Sequence, residues 1–436
     1  MKIIDYISSL YNSVLSPIML TVLAFGSVYF LCILKFFPFT HPKKIFSSLF
    51  EKKQTGSSHP LKALAVALAG TLGVGNIAGV AFAISSGGAG AVFWLCLSSL
   101  LLSIVKYAEV TLAVKTRIYS NGEYLGGPMY YIKSPFIGCL FAVLCIFCSF
   151  TLGTLLQSSS AAESLLCTFK ISPYVSGAIL ALICFIVIKK GLRGVSNFCS
   201  VVIPFMCAIY LLMCLYIIIS SFSALPRILK TICSDAFSLK SAVCGTGASV
   251  ISKSIRAGVS RGLITNESGC GTAPIAHACS ETDSPVSQGF LGIFEVIADT
   301  VLCLASALVI LLSGCSYENS DGMTLVLSAF EKYMGKTASF IISPQIVLFA
   351  LASIVGWSFY GLRSISFISK RKRWQKIYCI FIALFAFMGA FITNDFILLF
   401  SDILIFFMII INMVTLIKKS SVIAKETDDF FKKSKS

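Results

Sequence analysis

Histidine is nearly missing: the chain has three in 436 residues, and they are not grouped. That argues against a structural zinc or haem site. A membrane enzyme would want paired acids, a Ser/His set or metal ligands at one depth, and none is apparent. Charge is also scarce, at 12%, where a soluble globular domain carries about 25%. With 57% hydrophobic residues and a mean hydropathy of +0.89, the chain reads as an all-α polytopic membrane protein. No GxxxxGK[ST] sequence occurs, so the chain is not itself expected to be an ATP-driven pump. Acidic residues are few, 19 against 35 basic, giving a net charge of +16. The basic residues lie in short blocks between apolar runs, as in cytoplasmic loops, so no nucleic-acid partner is expected. Cysteine is plentiful at 17. Most of these lie inside apolar runs (Cys145, Cys148, Cys184, Cys207, Cys214, Cys303), where they act as small hydrophobes. The first apolar run starts near Leu15 and is long enough to stay as a span, so no cleaved signal peptide is expected.

Apolar runs long enough to cross a bilayer fall at about 15–36, 61–86, 90–113, 136–166, 174–188, 197–220, 241–262, 286–313, 338–362, 375–393 and 396–417, eleven in all. The fifth is short and the seventh polar. Loops between them are short, so residues 1–436 form a single transmembrane domain. With the N-terminus outside, the inner segments hold 27 lysines and arginines and the outer ones 7. That asymmetry predicts N-terminus out and C-terminus cytoplasmic, with residues 418–436 a basic tail. The run Lys370-Arg371-Lys372-Arg373 is an orientation signal that meets anionic lipid heads.

Within the second run, Gly70-Thr71-Leu72-Gly73-Val74-Gly75-Asn76-Ile77-Ala78-Gly79 places four glycines, a threonine and an asparagine in ten residues. Each glycine costs a helix about 1 kcal/mol relative to alanine. A helix that loosens in hydrocarbon leaves N–H and C=O groups that only protein, ions or trapped water can satisfy. Broken helices of this kind line solute cavities near the bilayer midplane. The alternative is close helix packing through small residues. The seventh run carries a second interruption at Gly245-Thr246-Gly247, five spans later and running the opposite way. Residues 61–220 and 241–417 would then be two five-helix repeats of inverted topology, with 15–36 an extra N-terminal helix.

Six stretches stand out in order: Gly70 to Val80, Gly87-Gly88-Ala89-Gly90-Ala91-Val92-Phe93-Trp94, Lys106-Tyr107-Ala108-Glu109-Val110, Gly126-Gly127-Pro128-Met129-Tyr130-Tyr131, Arg261 to His277, and Gly356-Trp357-Ser358-Phe359-Tyr360-Gly361. On these motifs, in order over about 60–415, the chain resembles the alanine/glycine:cation symporter family. The resemblance implies a leucine-transporter-type fold and uptake of alanine or glycine driven by sodium or protons. The ion is the only cofactor implied, and the working unit is expected to be a monomer.

The residues expected to carry transport follow. Gly73, Val74, Gly75 and Asn76 supply freed backbone at the first break, and Gly245, Thr246 and Gly247 at the second. Helix N-termini would favour a zwitterion's carboxylate and carbonyls its ammonium. Gln157 is polar in mid-span and both donates and accepts; it resembles a substrate contact of the family, against a plain interhelical bond. Trp357 would wall a pocket for small side chains, against ordinary packing. Asp299 has no adjacent neutralising charge and could serve ion or proton coupling, against a hydrogen-bonded structural aspartate. Lys106 and Glu109, three apart, could pair near the inner surface. Asn266, Glu267 and His277 read as structure or gating, with Glu267 latching Arg261 or backbone groups.

Three positions depart from the family. The helix carrying Trp357 usually has two adjacent hydroxyl residues that help bind sodium against the first broken helix. Here the pair is Ala352-Ser353, leaving Thr71 and Ser353 as the sodium candidates. A hard cation needs its oxygen ligands replaced by something, so proton coupling or a weak sodium site becomes plausible. Leu362 stands where a glutamate is typical, and Val74 where threonine is common. A passive channel would show a continuous polar stripe, whereas the polar residues here cluster at two midspan breaks.

Overall fold

A computed structural model describes residues 2–47, 60–120, 122–237, 253–316, 322–392 and 395–433. These residues are almost wholly helical, as a chain with long apolar runs must be when only internal hydrogen bonds satisfy its backbone. The N-terminal helix, α1 (Asp5–Ile33), is followed by α2 (Pro60–Thr71) and α3 (Ala78–Gly87), the two halves of the broken second span. Next come α4 (Gly90–Thr116), α5 (Pro135–Phe169), α6 (Pro173–Lys189) and α7 (Gly191–Ser220). A short α8 (Leu225–Ala236) precedes α9 (Lys253–Asn266) and α10 (Ala273–His277). Then follow α11 (Pro285–Ser313), α12 (Gly322–Met334), α13 (Thr337–Ile368), α14 (Lys372–Gly389), α15 (Asp395–Lys418) and α16 (Ser420–Lys433). Among the described residues, seven helices are individually long and apolar enough to cross a bilayer; α2, α3 and α6 are shorter apolar pieces.

Three findings differ from the sequence expectation. The stretches read as loops at 221–240 and 314–337 carry α8 and α12, and Trp94 donates to the carbonyl of Ala236 at 3.1 Å to seat the first of these. The C-terminal tail is a docked helix: Ile423 is buried, Thr427 bonds the hydroxyl of Tyr107 at 2.7 Å, and Lys115 pairs with Glu426 at 2.5 Å. The seventh span ends at Asn266 rather than 262, and Gly245, Thr246 and Gly247 lie outside the described residues.

Among the described residues the one sheet is the hairpin β1 (Ile118–Ser120) and β2 (Glu123–Leu125), pairing Tyr119 with Tyr124. Arg117 stacks over Tyr124 at 3.8 Å, and Glu123 pairs with Arg363 of α13 at 3.0 Å, so the hairpin is tied to the bundle. Cys145 and Cys148 stand in CxxC spacing, but both are buried, unbridged thiols.

Tight packing holds α2 to α13. A Cβ at Gly356 would lie 2.5 Å from the Gly70 nitrogen, so neither helix has room for a side chain at this crossing. Gly73 starts the break in an extended conformation (φ −115°, ψ −168°), and Val74–Asn76 forms a single 3₁₀ turn before α3. The chain therefore changes direction where α13 and α5 press on it.

Candidate substrate and ion site

At the first break two backbone donors are met by side chains. The Val74 N–H donates to Gln157 Oε1 at 3.0 Å, and the Gly73 N–H to Asn76 Oδ1 at 3.2 Å. With its oxygen so used, Asn76 must present its NH₂ the other way. It donates to Asp299 Oδ1 of α11 and lies 3.4 Å from Cys303 Sγ. Asp299 is thus not isolated, as its sequence neighbours suggested. It is wholly buried, joined to the break, and its Oδ2 has no hydrogen-bond partner.

Gly73 sits between two other candidates. A Cβ there would lie 2.9 Å from Gln157 Oε1 and 3.1 Å from Ser353 Oγ. Ser353 Oγ also lies 3.5 Å from the Gly70 carbonyl, so α13 presents its hydroxyl to the end of α2. Thr71, the other sodium candidate, turns its hydroxyl back to Ala67 and Leu68 carbonyls at 3.3 and 3.4 Å. Trp357 packs its side chain on Gly153 of α5 and meets Tyr360 edge-on at 5.6 Å. Gly75 is near Thr265 of α9, whose Cγ2 would be 3.9 Å from a Cβ there. The structure therefore brings Gly73, Val74, Gly75, Asn76, Gln157, Ser353 and Asp299 around one break, while Trp357 contacts Gly153 and Tyr360 instead.

The gating candidates lie elsewhere. Asn266 donates to Ser99 Oγ at 3.2 Å and accepts from the Ser268 N–H at 2.9 Å. Glu267 does not latch Arg261; its carboxylate accepts from Thr272 at 2.5 Å, while the Arg261 guanidinium covers Gly79 of α3. Only a glycine leaves space for that guanidinium.

Sequence reasoning also missed a partner. Lys106 Nζ is 3.8 Å from Glu109 Oε1 but 3.3 Å from Glu295 Oε1 of α11. Glu295 Oε2 lies 3.0 Å from His277 Nε2, and His277 Nδ1 lies 2.7 Å from Gln288 Nε2. Glu109 Oε2 accepts from Asn412 at 2.9 Å and from the Gly271 N–H at 3.2 Å. The available signal was Glu295 standing four residues before Asp299, on the same face of one helix. A cavity of about 300 Å³ reaches Ala276, next to His277, but none of the break residues lines it. Lys62, Val66, Glu123, Arg193, Phe359 and Arg363 are among its lining residues.

A helical membrane protein with a broken span, and with polar side chains gathered on that break, is built as secondary transporters are. The profile of the sodium:alanine symporter family matches residues 1–436, and the chain belongs to that family. It is 32% identical over 449 residues to the sodium/alanine symporter AgcS of Methanococcus maripaludis, covering 99% of this chain and 98% of that one. It is 30% identical to the amino-acid carrier protein AlsT of Bacillus subtilis, covering 86% and 81%. Among solved structures, MhsT in complex with L-phenylalanine is similar in fold, with a TM-score of 0.63 at 13% identity over 87% of this chain and 93% of that one. The fold is the leucine-transporter type, and the chain is a cation-coupled amino-acid transporter, not an enzyme.

Proposed function

We propose that this protein imports alanine or glycine with sodium by alternating access, as a monomer with its N-terminus outside and its C-terminus in the cytoplasm. The observation that carries the reading is the Val74 N–H held by Gln157 beside Gly73 and Ser353. A small zwitterion suits this place: its carboxylate takes the freed N–H groups and the amide hydrogens of Gln157, and freed carbonyls take its ammonium. Trp357, packed on Gly153, would wall the pocket and restrict it to a hydrogen or a methyl side chain. Gly245, Thr246 and Gly247 would close the site from the second break. Ser353 and the Gly70 carbonyl would supply sodium oxygens, with the Thr71 hydroxyl turning to join them.

One observation favours a second reading, coupling to a proton. Asp299 keeps an unpartnered oxygen beside Asn76, and Ala352 offers no hydroxyl where sodium would want one. Uptake of labelled alanine and glycine into proteoliposomes, with a sodium gradient or a proton gradient imposed separately, decides between them. Accumulation with sodium alone supports the first reading, and accumulation with protons alone the second. No accumulation of either solute under either gradient rejects both.

A further inference from the structure

The cavity of about 300 Å³ has no part in that reading, yet its walls carry charge of both signs. They come from the start of α2, the hairpin, the start of α7, the chain around and after α10, and α13. Lys62, Arg193 and Arg363 supply cations there, and Glu123 and Glu281 supply acids. Its volume is at the small end of ligand pockets and suits a small solute.

Cavity and break are neighbours along α2. Val66 lines the cavity and Thr71 ends the helix at the break, about 7.5 Å further along its axis. Tyr360 of α13 closes the interval. It is wholly buried, its hydroxyl reaches the Ala67 carbonyl at 3.4 Å, and a Cβ at Gly70 would lie 2.5 Å from that hydroxyl. A solute leaving the break toward the side proposed as cytoplasmic would pass Tyr360 and meet the cavity next.

The charged groups are committed to different degrees. Arg363 is 8% exposed and gives Nη1 to Glu123 Oε2 at 3.0 Å, while its Nε has no partner. Glu123 is 41% exposed, and its Oε1 makes no hydrogen bond among the described residues. Lys62 reaches only the neutral Asn197, at 3.3 Å. Arg193 is exposed and has no hydrogen bond or ion pair among the described residues. Asn197 stands one turn after Arg193 on α7, so Lys62 and Arg193 approach the same side of the cavity. Two cations are thus available opposite an acid with an oxygen to spare. A plain anion would have to sit beside Glu123 and Glu281, and a plain cation beside three positive side chains. A zwitterion satisfies both signs at once.

We propose that this cavity is a second binding site for the transported amino acid, beyond the barrier at Tyr360, with the carboxylate held by Arg193 and Lys62 and the ammonium by Glu123. The proposal rests on the amino-acid reading above. Water and salt screen such exposed charges, so this site is the weaker of the two, as a place of release should be. Binding of labelled alanine and, separately, glycine to the purified full-length protein, in phosphatidylcholine nanodiscs with sodium present, reads both sites. The expected isotherm has two phases for at least one of these solutes. Gln157→Ala weakens the tighter phase, and Arg193→Gln weakens the other about tenfold, the loss of one charged hydrogen bond. The unlabelled amino acid displaces that second phase, and acetate and inorganic phosphate do not. A single phase, or a second one that Arg193→Gln leaves in place, overturns the proposal. Displacement by acetate or phosphate overturns it too, because the site then takes plain anions. So does the absence of binding by either solute. If Arg193→Gln does not fold, Lys62→Gln gives the same test. Uptake with a single phase rejects the second site alone, and an Arg193-dependent phase without uptake rejects transport alone, so the two readings fail separately.

Discussion

The molecule buries polar groups in two places, and it treats them oppositely. At the first break the groups are neutral apart from Asp299, and one oxygen of that acid is left unsatisfied. In the chain from Glu109 through Lys106 and Glu295 to His277, ionisable groups are linked to one another across three helices. Buried polar networks that are well satisfied rigidify a fold, and neither is complete: the charge chain also leaves Glu109 Oε1 and Gln288 Oε1 without hydrogen-bond partners, but on intact helices. The difference teaches that depth and burial alone do not mark a transport site. What marks it is the unfilled hydrogen-bonding capacity beside an unwound backbone.

The widest separation of the two centres should come from Lys106→Met. It leaves Glu109 and Glu295 buried without their fixed cation, and breaking one partner out of a buried ion pair costs about 3–5 kcal/mol. The expected outcome is a poorly folding protein, read as early aggregation in a thermal ramp followed by size exclusion. If the variant is as stable as the parent, the chain is not structural. Gln157→Ala probes the other centre. It strips the Val74 N–H of its partner, an unsatisfied buried donor worth about 1–3 kcal/mol. Uptake efficiency should fall about 5–150-fold, while thermal stability falls less than in Lys106→Met. A large stability loss with intact uptake would make Gln157 a packing bond after all.

Ala352→Ser tests the ion side of the break with a smaller expected effect. It adds one hydroxyl beside Ser353 on a fully buried face of α13. If sodium sits there, the sodium concentration for half-maximal uptake should drop by about 2–10-fold, the worth of one hydrogen-bond-sized interaction. An unchanged sodium response with an altered proton response would move the coupling ion to Asp299.

Much of this was legible in the sequence because apolar periodicity and glycine content are local. The broken second span and Gln157 in mid-span announce themselves within a few residues. What escaped depends on distance in the chain. Glu295 meets Lys106 from 189 positions away, and Asn76 meets Asp299 from 223. No spacing rule within one helix relates such pairs. The helices α8 and α12 escaped because they are short and amphipathic, lacking the long apolar run that betrays a span. Glu267 was matched to the wrong partner because a sequence-adjacent arginine is visible and the Thr272 hydroxyl, reached only after the turn at Gly269 and Gly271, is not.

The smallest effect should come from the docked C-terminal helix, and it sets the scale against which the buried centres are judged. Lys35 and Asp428 pair at 2.8 Å, but their side chains are 72% and 46% exposed. Water and salt screen such a pair, and ordering two flexible side chains offsets much of the attraction, so exposed pairs contribute a few tenths of a kcal/mol. Asp428→Asn should therefore leave uptake unchanged and shift the thermal transition by no more than the replicate error. Were it instead to approach the Lys106→Met loss, the α16 docking would depend on this single pair. That outcome is not expected, because buried Ile423 and the Tyr107–Thr427 bond hold the same helix from within the protein, where screening does not operate.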